Sequence, residues 1–158
     1  MIETLPKTVH NHHDALLPHV NALAEIAESI GKVPTEELER RLEEEYHFIV
    51  AQLVPHMERA EAAVYPQLER LMQNRHSMTP MRSEHEHMRR YIAELGAMRG
   101  HTASFGAQMR LRRVLFRMYA LIKTHLAEEE AYMAVLERNL SQAEAEEIAR
   151  GLAHAMAD

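Results

Sequence analysis

The chain has 158 residues, enough for a single domain over residues 1–158, with a net charge of −6 and no cysteine. Without thiols it cannot form disulfides, iron–sulfur clusters or thiolate zinc sites. The negative charge disfavours broad binding of nucleic acid, and no apolar run approaches the roughly 20 residues of a membrane-spanning helix. We therefore expect one cytoplasmic domain with no nucleic-acid or membrane partner and with an oligomeric state that the sequence leaves open.

The composition favours helices and is unusually rich in histidine. The chain contains 12 histidines and 11 methionines, but only 5 glycines and 6 prolines. Few helix breakers in a chain rich in Ala, Leu, Glu, Arg and Met favour helices, and β-branched and aromatic residues are too sparse for a sheet. The predicted fold class is all-α, and the histidines need an explanation of their own.

The first half of the chain predicts two helices. The first spans about residues 6–29, with apolar positions at helical spacing and Gly31 as a C-terminal cap. The second spans about residues 36–72, and we expect a kink near each of its two prolines, Pro55 and Pro66.

The second half predicts three more helices. The third spans about residues 80–98, and the fourth runs from about residue 104 or 105 to 139. Ser141 and Glu144 form a capping box that predicts a short fifth helix over about residues 142–156. Four long helices with short connections favour an up-down-up-down four-helix bundle, with the fifth helix across its outside or one end.

Each long helix offers at least one histidine. His125 and Glu129 are four residues apart, so they share a helix face and can chelate one metal cluster. The other helices contribute His12, His13 and His19, then His56 with Glu58 and Glu61, then His85 and His87. We interpret the remaining five as ordinary surface residues: His10, His47, His76, His101 and His154.

Imidazole and carboxylate without sulfur suit iron, manganese or zinc. A pair of such metals needs roughly six protein ligands, which this supply meets. The predicted heights are compatible for the first two helices, since His13 and His56 lie at similar levels when antiparallel helices rise about 1.5 Å per residue. The sequence thus allows a metal centre that is shared by four helices.

These residues resemble the hemerythrin-like family, also called the HHE cation-binding domain, from about His12 to Leu136. The most specific parts are His56 followed by residues 64–66 (Val-Tyr-Pro), residues 80–82 (Pro-Met-Arg) leading into His85, and residues 125–130 (His-Leu-Ala-Glu-Glu-Glu). The resemblance implies two iron ions with oxo, hydroxo or carboxylate bridges. It also implies a protein that binds or senses O2, nitric oxide or peroxide, or that handles iron.

By this resemblance the metal ligands are His13 (or His12), His56, His85, His125 and Glu129, with Glu61 as a further candidate and His12, His19, Glu58 and His87 as weaker ones. The helix-two pattern departs from the family, which places glutamate four residues after the histidine. Here that position is Ala60, and Glu61 follows one residue late. A five-residue step at 100° per residue turns Glu61 well away from His56 unless a kink corrects it. Otherwise the centre lacks one carboxylate and holds a single metal, manganese or zinc, or uses Glu58 or His87 as a substitute.

Three other functions remain open. A di-iron oxidase that activates O2 or peroxide would use the same centre, with Tyr65, Tyr119 or Tyr132 as ligand or proton donor. A ferritin-like centre needs Glu-x-x-His on two helices, and residues 44–47 and 84–87 fit that pattern. A metal-free interaction bundle would use its methionines as an adaptable surface. We expect a protein that binds a metal and a small ligand rather than a turnover enzyme, and we assign no catalytic residue.

Overall fold

The computed structural model describes the backbone of residues 5–153. Over that range the chain forms five helices and no strand, which confirms the all-α prediction. They are α1 (Leu5–Ser29), α2 (residues 35–71), α3 (Thr79–Met98), α4 (Phe105–Asn139) and α5 (Gln142–Ala153). The predicted helix ends agree to within one residue. His154 and the predicted end of the fifth helix lie outside the described residues.

The second helix changes its hydrogen-bonding pattern twice. Its α-helical parts are Thr35–Phe48, Val54–Arg59 and Tyr65–Leu71, and π-helical turns at Ile49–Leu53 and Ala60–Val64 separate them. Each π turn ends two residues before a proline. Proline has no N–H, and its ring crowds the carbonyl four residues earlier, so an ordinary α-helical turn cannot close at that point. The disturbances expected at Pro55 and Pro66 therefore take the form of widened turns.

Local caps define the helix ends around the loops. Gly31 and Gly100 follow α1 and α3 with φ angles of 81° and 74°, a backbone region that glycine adopts without strain. At the start of α4 the Ser104 side chain accepts a hydrogen bond from the Ala107 N–H at 3.2 Å. The capping box before α5 forms as the sequence predicts, because the Ser141 N–H donates to Glu144 at 2.9 Å.

The core consists of two apolar clusters, one on each side of a polar layer. Along α1, Val9 belongs to the second cluster and Leu16 to the first, and His12 and His13 lie between them. The same separation occurs on the other three long helices. Seven polar side chains are buried among the described residues, and six of them form this layer: His12, His13, His56, His85, His125 and Glu129.

The helices that carry the layer pack closely together. α4 is the central element, because both α1 and α3 pack along it, and α1 also contacts α2. The short α5 lies against α1 and the second half of α2, where Ile148 and Ala149 join the second apolar cluster. In the part of the chain that the structure describes, no helix combines the length and the apolar character needed to cross a membrane.

Candidate metal centre

The six side chains of the polar layer are between 0 and 9 % exposed. Burying an imidazole or a carboxylate costs free energy unless the group finds a partner, so this many in one layer need a physical reason. Five of them direct polar atoms at one another across helices that are far apart in sequence. These five form two groups, one between α1, α2 and α4 and the other between α3 and α4, and His12 lies beside the first group.

The first group consists of His13, His56 and Glu129. Their ligand atoms all lie within 4.8 Å of one another. The Nε2 atoms of His13 and His56 lie 3.1 and 2.8 Å from the same oxygen, Oε2 of Glu129. Although burial opposes it, the charges and hydrogen bonds of the neighbouring histidines hold the pKa of Glu129 well below its usual value. A buried carboxylate of this kind requires a positive charge beside it, which a metal ion can supply.

The second group is the pair His85 and His125. Their Nε2 atoms face each other at 2.9 Å. On the far side of each ring the Nδ1–H donates to a glutamate at 2.6 Å, to Glu61 from His85 and to Glu84 from His125. Since the protons are held on Nδ1, the two Nε2 lone pairs converge on one point. Converging lone pairs repel each other unless a cation lies between or beside them, and this is the arrangement of metal ligands.

Burial keeps the second group available for a metal. It lowers the pKa of His85 to about 4, and the nearby His125 adds to this effect. The imidazole of His85 is therefore neutral at pH 7, which is the form that binds metals.

Three histidines of the layer have a glutamate on the outer nitrogen of the ring, the one that faces away from the other donors. Besides Glu61 and Glu84, Glu130 accepts a hydrogen bond from the Nδ1–H of His13 at 3.0 Å. A carboxylate on the outer nitrogen fixes the tautomer and the direction of a metal-binding histidine. Although burial opposes it, Glu129 and Glu130 together raise the pKa of His13. From the sequence, Glu84 was considered only within the ferritin-like pattern and Glu130 was not singled out, because their histidine partners lie on other helices and no spacing within one helix reveals these contacts.

Glu61 lies in the π turn Ala60–Val64 and faces α3. Its Oε1 accepts hydrogen bonds from His85 Nδ1 at 2.6 Å and from the Arg89 guanidinium at 3.0 Å. The structure thus places the carboxylate of this ligand candidate on the outer side of the His85 ring, next to Nδ1.

Tyr65 is the one tyrosine of the three considered that reaches the polar layer. Its hydroxyl lies 3.2 Å from Nε2 of His85, and the side chain is fully buried. Burial, followed by the charges of Glu129 and Glu61, raises its pKa, so it is a neutral phenol. Tyr119 instead accepts a hydrogen bond from Lys123, and Tyr132 packs at the edge of the second apolar cluster.

The weaker candidates lie in different places. His12 belongs to the polar layer, with its ring 4.6 Å from the ring of His56. His19 stacks on Phe48 with ring centroids 3.4 Å apart and donates to Glu45, away from the layer. Glu58 is exposed.

His87 is also exposed, and its Nδ1–H donates to the Ser83 carbonyl. His47 is exposed and donates to the Glu43 carbonyl on its own helix. The structure therefore does not assemble the ferritin-like pattern that these two histidines suggested. His10, His76 and His101 are exposed, in agreement with their interpretation as surface residues.

The donor set fits a non-haem metal. The layer offers imidazole nitrogens and one carboxylate without sulfur, and these donors suit iron, zinc or manganese. One buried donor has no protein partner, since Nε2 of His12 makes no hydrogen bond with the described residues. His13, His56 and Glu129 would hold one ion, and His85 and His125 would hold a second. Glu129 of the first group is one helical turn from His125 of the second, so the two groups are neighbours along α4.

Comparison with known proteins agrees with this geometry. A family model described as "Hemerythrin HHE cation binding domain" matches residues 4–136, which include the whole polar layer. The comparisons with curated proteins and with solved structures gave no significant match.

Proposed function

Since the chain belongs to the hemerythrin HHE cation-binding family, we propose that it is a non-haem iron protein that binds or senses O2, nitric oxide or peroxide, or that handles iron. The observation that carries this proposal is the convergence of buried histidine nitrogens on Glu129 and on each other. Iron held by these residues would supply redox chemistry and binding of a small ligand. The chain's own contribution is to aim the imidazoles, balance the charge and exclude water.

The number of metals is part of the proposal. Two separate groups of donors, joined along α4 by Glu129 of the first and His125 of the second, favour two ions per chain. The outer glutamates hold the rings of His13, His85 and His125 in place, so the donors are positioned before a metal arrives. This preorganisation lowers the entropy that is lost on binding.

A small uncharged molecule suits the surroundings of the centre. An apolar cavity lies beside the polar layer, and Leu16, Leu53 and Ile122 are among the residues that line it. Each of the three lies three residues from a histidine of the layer, His13, His56 and His125 respectively. Apart from His19 the lining is apolar, so it favours a small uncharged molecule over a larger or charged substrate.

We also propose the up-down-up-down order of the four long helices. The order of the two apolar clusters along the chain supports it. α1 and α3 pass from the second cluster to the first, as Val9 to Leu16 and Met81 to Met88 illustrate. α2 and α4 pass from the first to the second, as Leu53 to Val64 illustrates.

Metal analysis tests the function directly. Protein expressed in iron-supplemented medium should contain about two irons per chain, as in other di-iron bundles. His56→Ala and His125→Ala should each lower the iron content, and the matched control His76→Ala, at an exposed histidine, should leave it unchanged. Iron-free wild-type protein would contradict the proposal. Equal metal content in the wild type and all variants would show that His56 and His125 do not hold the metal. No metal in any of them would favour a metal-free interaction bundle, and stoichiometric zinc or manganese would correct the identity of the metal.

A di-iron oxidase is the second candidate, and the buried hydroxyl of Tyr65 beside His85 favours it. That phenol is placed to donate a proton at the centre. A binding or sensing protein should change its absorption spectrum reversibly with O2 or nitric oxide. An oxidase should instead consume O2 continuously when a reductant is supplied, and Tyr65→Phe should slow that consumption.

A further inference from the structure

The first donor group lacks the carboxylate that helix two was expected to supply. Residue 60 is alanine, and its side chain lies in the second apolar cluster. Glu61 accepts hydrogen bonds from His85 and Arg89, so its carboxylate is held on the α3 side. Among the described residues this leaves His13, His56 and Glu129 as a group of three.

His12 is the remaining histidine of the polar layer, and it has an unused nitrogen. The side chain is 9 % exposed, and its Nε2 is buried without a hydrogen-bond partner among the described residues. Its ring centroid lies 4.6 Å from that of His56 and 6.5 Å from that of His13. An unsatisfied buried polar atom is rare because it loses its bonds to water and gains nothing in return.

The position of His12 is that of a ligand, because its ring lies beside His56 and next to His13 in the chain. Of the partners that could satisfy the buried nitrogen beside His56, a metal ion also explains why a second histidine is placed next to His13.

We propose that His12 is a fourth ligand of the metal held by His13, His56 and Glu129, in place of the missing carboxylate. This inference rests on the proposed function, because it concerns the same centre. Its consequence is that the two halves of the centre are unequal. The first half has three imidazoles and a carboxylate, and the second has two imidazoles beside the neutral phenol of Tyr65.

Because the two halves of the centre are unequal, they should bind metal ions one after the other. More protein donors and the only carboxylate in the layer should make the first half the tighter site, so one metal ion should bind before the second. The nitrogen-rich set also favours iron, cobalt or zinc over manganese, since imidazole is a better ligand for the former group than for manganese.

Titration with Co2+ under anaerobic conditions tests the proposal, because cobalt absorbs visible light when it is bound by histidine. Metal-stripped wild-type protein should bind one equivalent tightly and a second at least about tenfold more weakly, in competition with a chelating indicator. His12→Ala should weaken the first step by about tenfold or more and leave the second step in place. The matched control is His19→Ala, a histidine of the same helix that lies outside the layer.

A second measurement separates ligation from a structural role. In protein labelled with 15N-histidine and loaded with one equivalent of Co2+, three imidazoles should show large paramagnetic shifts, those of His12, His13 and His56. In His12→Ala, or in His12→Gln if the alanine variant does not fold, two should remain.

The outcomes distinguish the two proposals. Two shifted imidazoles in the wild type, or equal first-step affinity in His12→Ala and His19→Ala, would overturn the role of His12 and leave the metal centre intact. A wild-type protein that binds neither iron nor cobalt would overturn the proposed function itself.

Discussion

Three histidines of the polar layer, His13, His85 and His125, have a carboxylate on the outer nitrogen of the ring. At His85 the outer carboxylate is Glu61, and at His125 it is Glu84, each at 2.6 Å from Nδ1. Both glutamates are about one-quarter exposed, so their charge remains in contact with water. Each of them holds the proton of its buried imidazole on Nδ1. Residues of this type change how a metal binds without touching it.

Substitution of Glu61 should separate positioning from ligation. Glu61→Ala removes the acceptor for His85 Nδ1–H and should weaken binding of the second metal by about 10- to 100-fold. Glu61→Gln keeps an amide oxygen as acceptor and should recover most of that affinity. The measurement is the Co2+ titration, and Glu58→Gln on the same helix is the matched control because Glu58 is exposed.

If Glu61 were itself a ligand, the result would differ. An amide oxygen is a much poorer ligand than a carboxylate, so Glu61→Gln would then lose as much metal affinity as Glu61→Ala. That outcome would return Glu61 to the ligand set and would contradict its assignment as a positioning residue.

At the residue scale, spacing within one helix predicts part of the site. His125 and Glu129 share a face because they are four residues apart, and the structure brings both into the layer. The contact of Glu84 with His125 crosses from α3 to α4, so no periodicity in either helix contains it. The direction of Glu61 depends on a π turn. The prolines of α2 predict a disturbance, but a missing N–H is equally compatible with a kink and with a widened turn.

At the scale of the elements, α2 also fixes the loop between α3 and α4. The carboxylate of Glu39 accepts hydrogen bonds from the N–H groups of Gly100 and Thr102, at 2.8 and 3.1 Å, and from the Thr102 hydroxyl. Thr102 is 1 % exposed, so its N–H and hydroxyl have little access to water. The contact ties the loop that precedes α4 to α2, and so contributes to the height of His125 in the bundle.

Removing this contact should destabilise the fold at neutral pH. Glu39→Ala should lower the free energy of unfolding by about 1.5–3 kcal/mol, the range for hydrogen bonds to a charged group whose partners are left buried. Urea denaturation at pH 7 measures the loss. Glu94→Ala, at an exposed position of α3, is the control and should change stability little.

The effect of Glu39 should depend on pH in one direction. Although burial opposes it, the hydrogen bonds from Thr102 and Gly100 lower the pKa of Glu39 below its usual 4.5. A group whose folded pKa is lowered stabilises the protein above its unfolded pKa, and this contribution disappears as pH falls through the folded pKa. The difference between wild type and Glu39→Ala should therefore be full at pH 7 and shrink below about pH 4.5. A difference that grows in acid would contradict this account.

At the scale of the whole molecule, the centre lies where all four long helices meet. The helix boundaries follow from caps, breakers and apolar periodicity, which are local properties of the sequence, and they are predicted closely. The relative height of the four helices is not local. It depends on residues 72–78 between α2 and α3, a stretch with no periodic pattern, and on the match of side-chain shapes in two apolar clusters.

A metal bound in the polar layer should stabilise the whole bundle. The donors come from helices that are assembled only in the folded state, so the free energy of binding adds to that of folding. With Fe2+ at about 100 times its dissociation constant, the free energy of unfolding should rise by about 2.7 kcal/mol for one site. Anaerobic thermal melts with and without Fe2+ measure the change, and a chelator should reverse it.

The double variant His56→Ala/His125→Ala supplies the control, because it removes one ligand from each donor group. Its melting temperature should not respond to Fe2+, whereas His76→Ala should respond as the wild type does. A wild-type protein whose melting is unaffected by metal would mean that the buried charges of the layer balance one another without a metal ion. In that case replacing the layer with apolar residues of similar volume should be neutral or stabilising. If the layer is a metal centre, the same replacement abolishes metal binding along with the stabilisation that it provides.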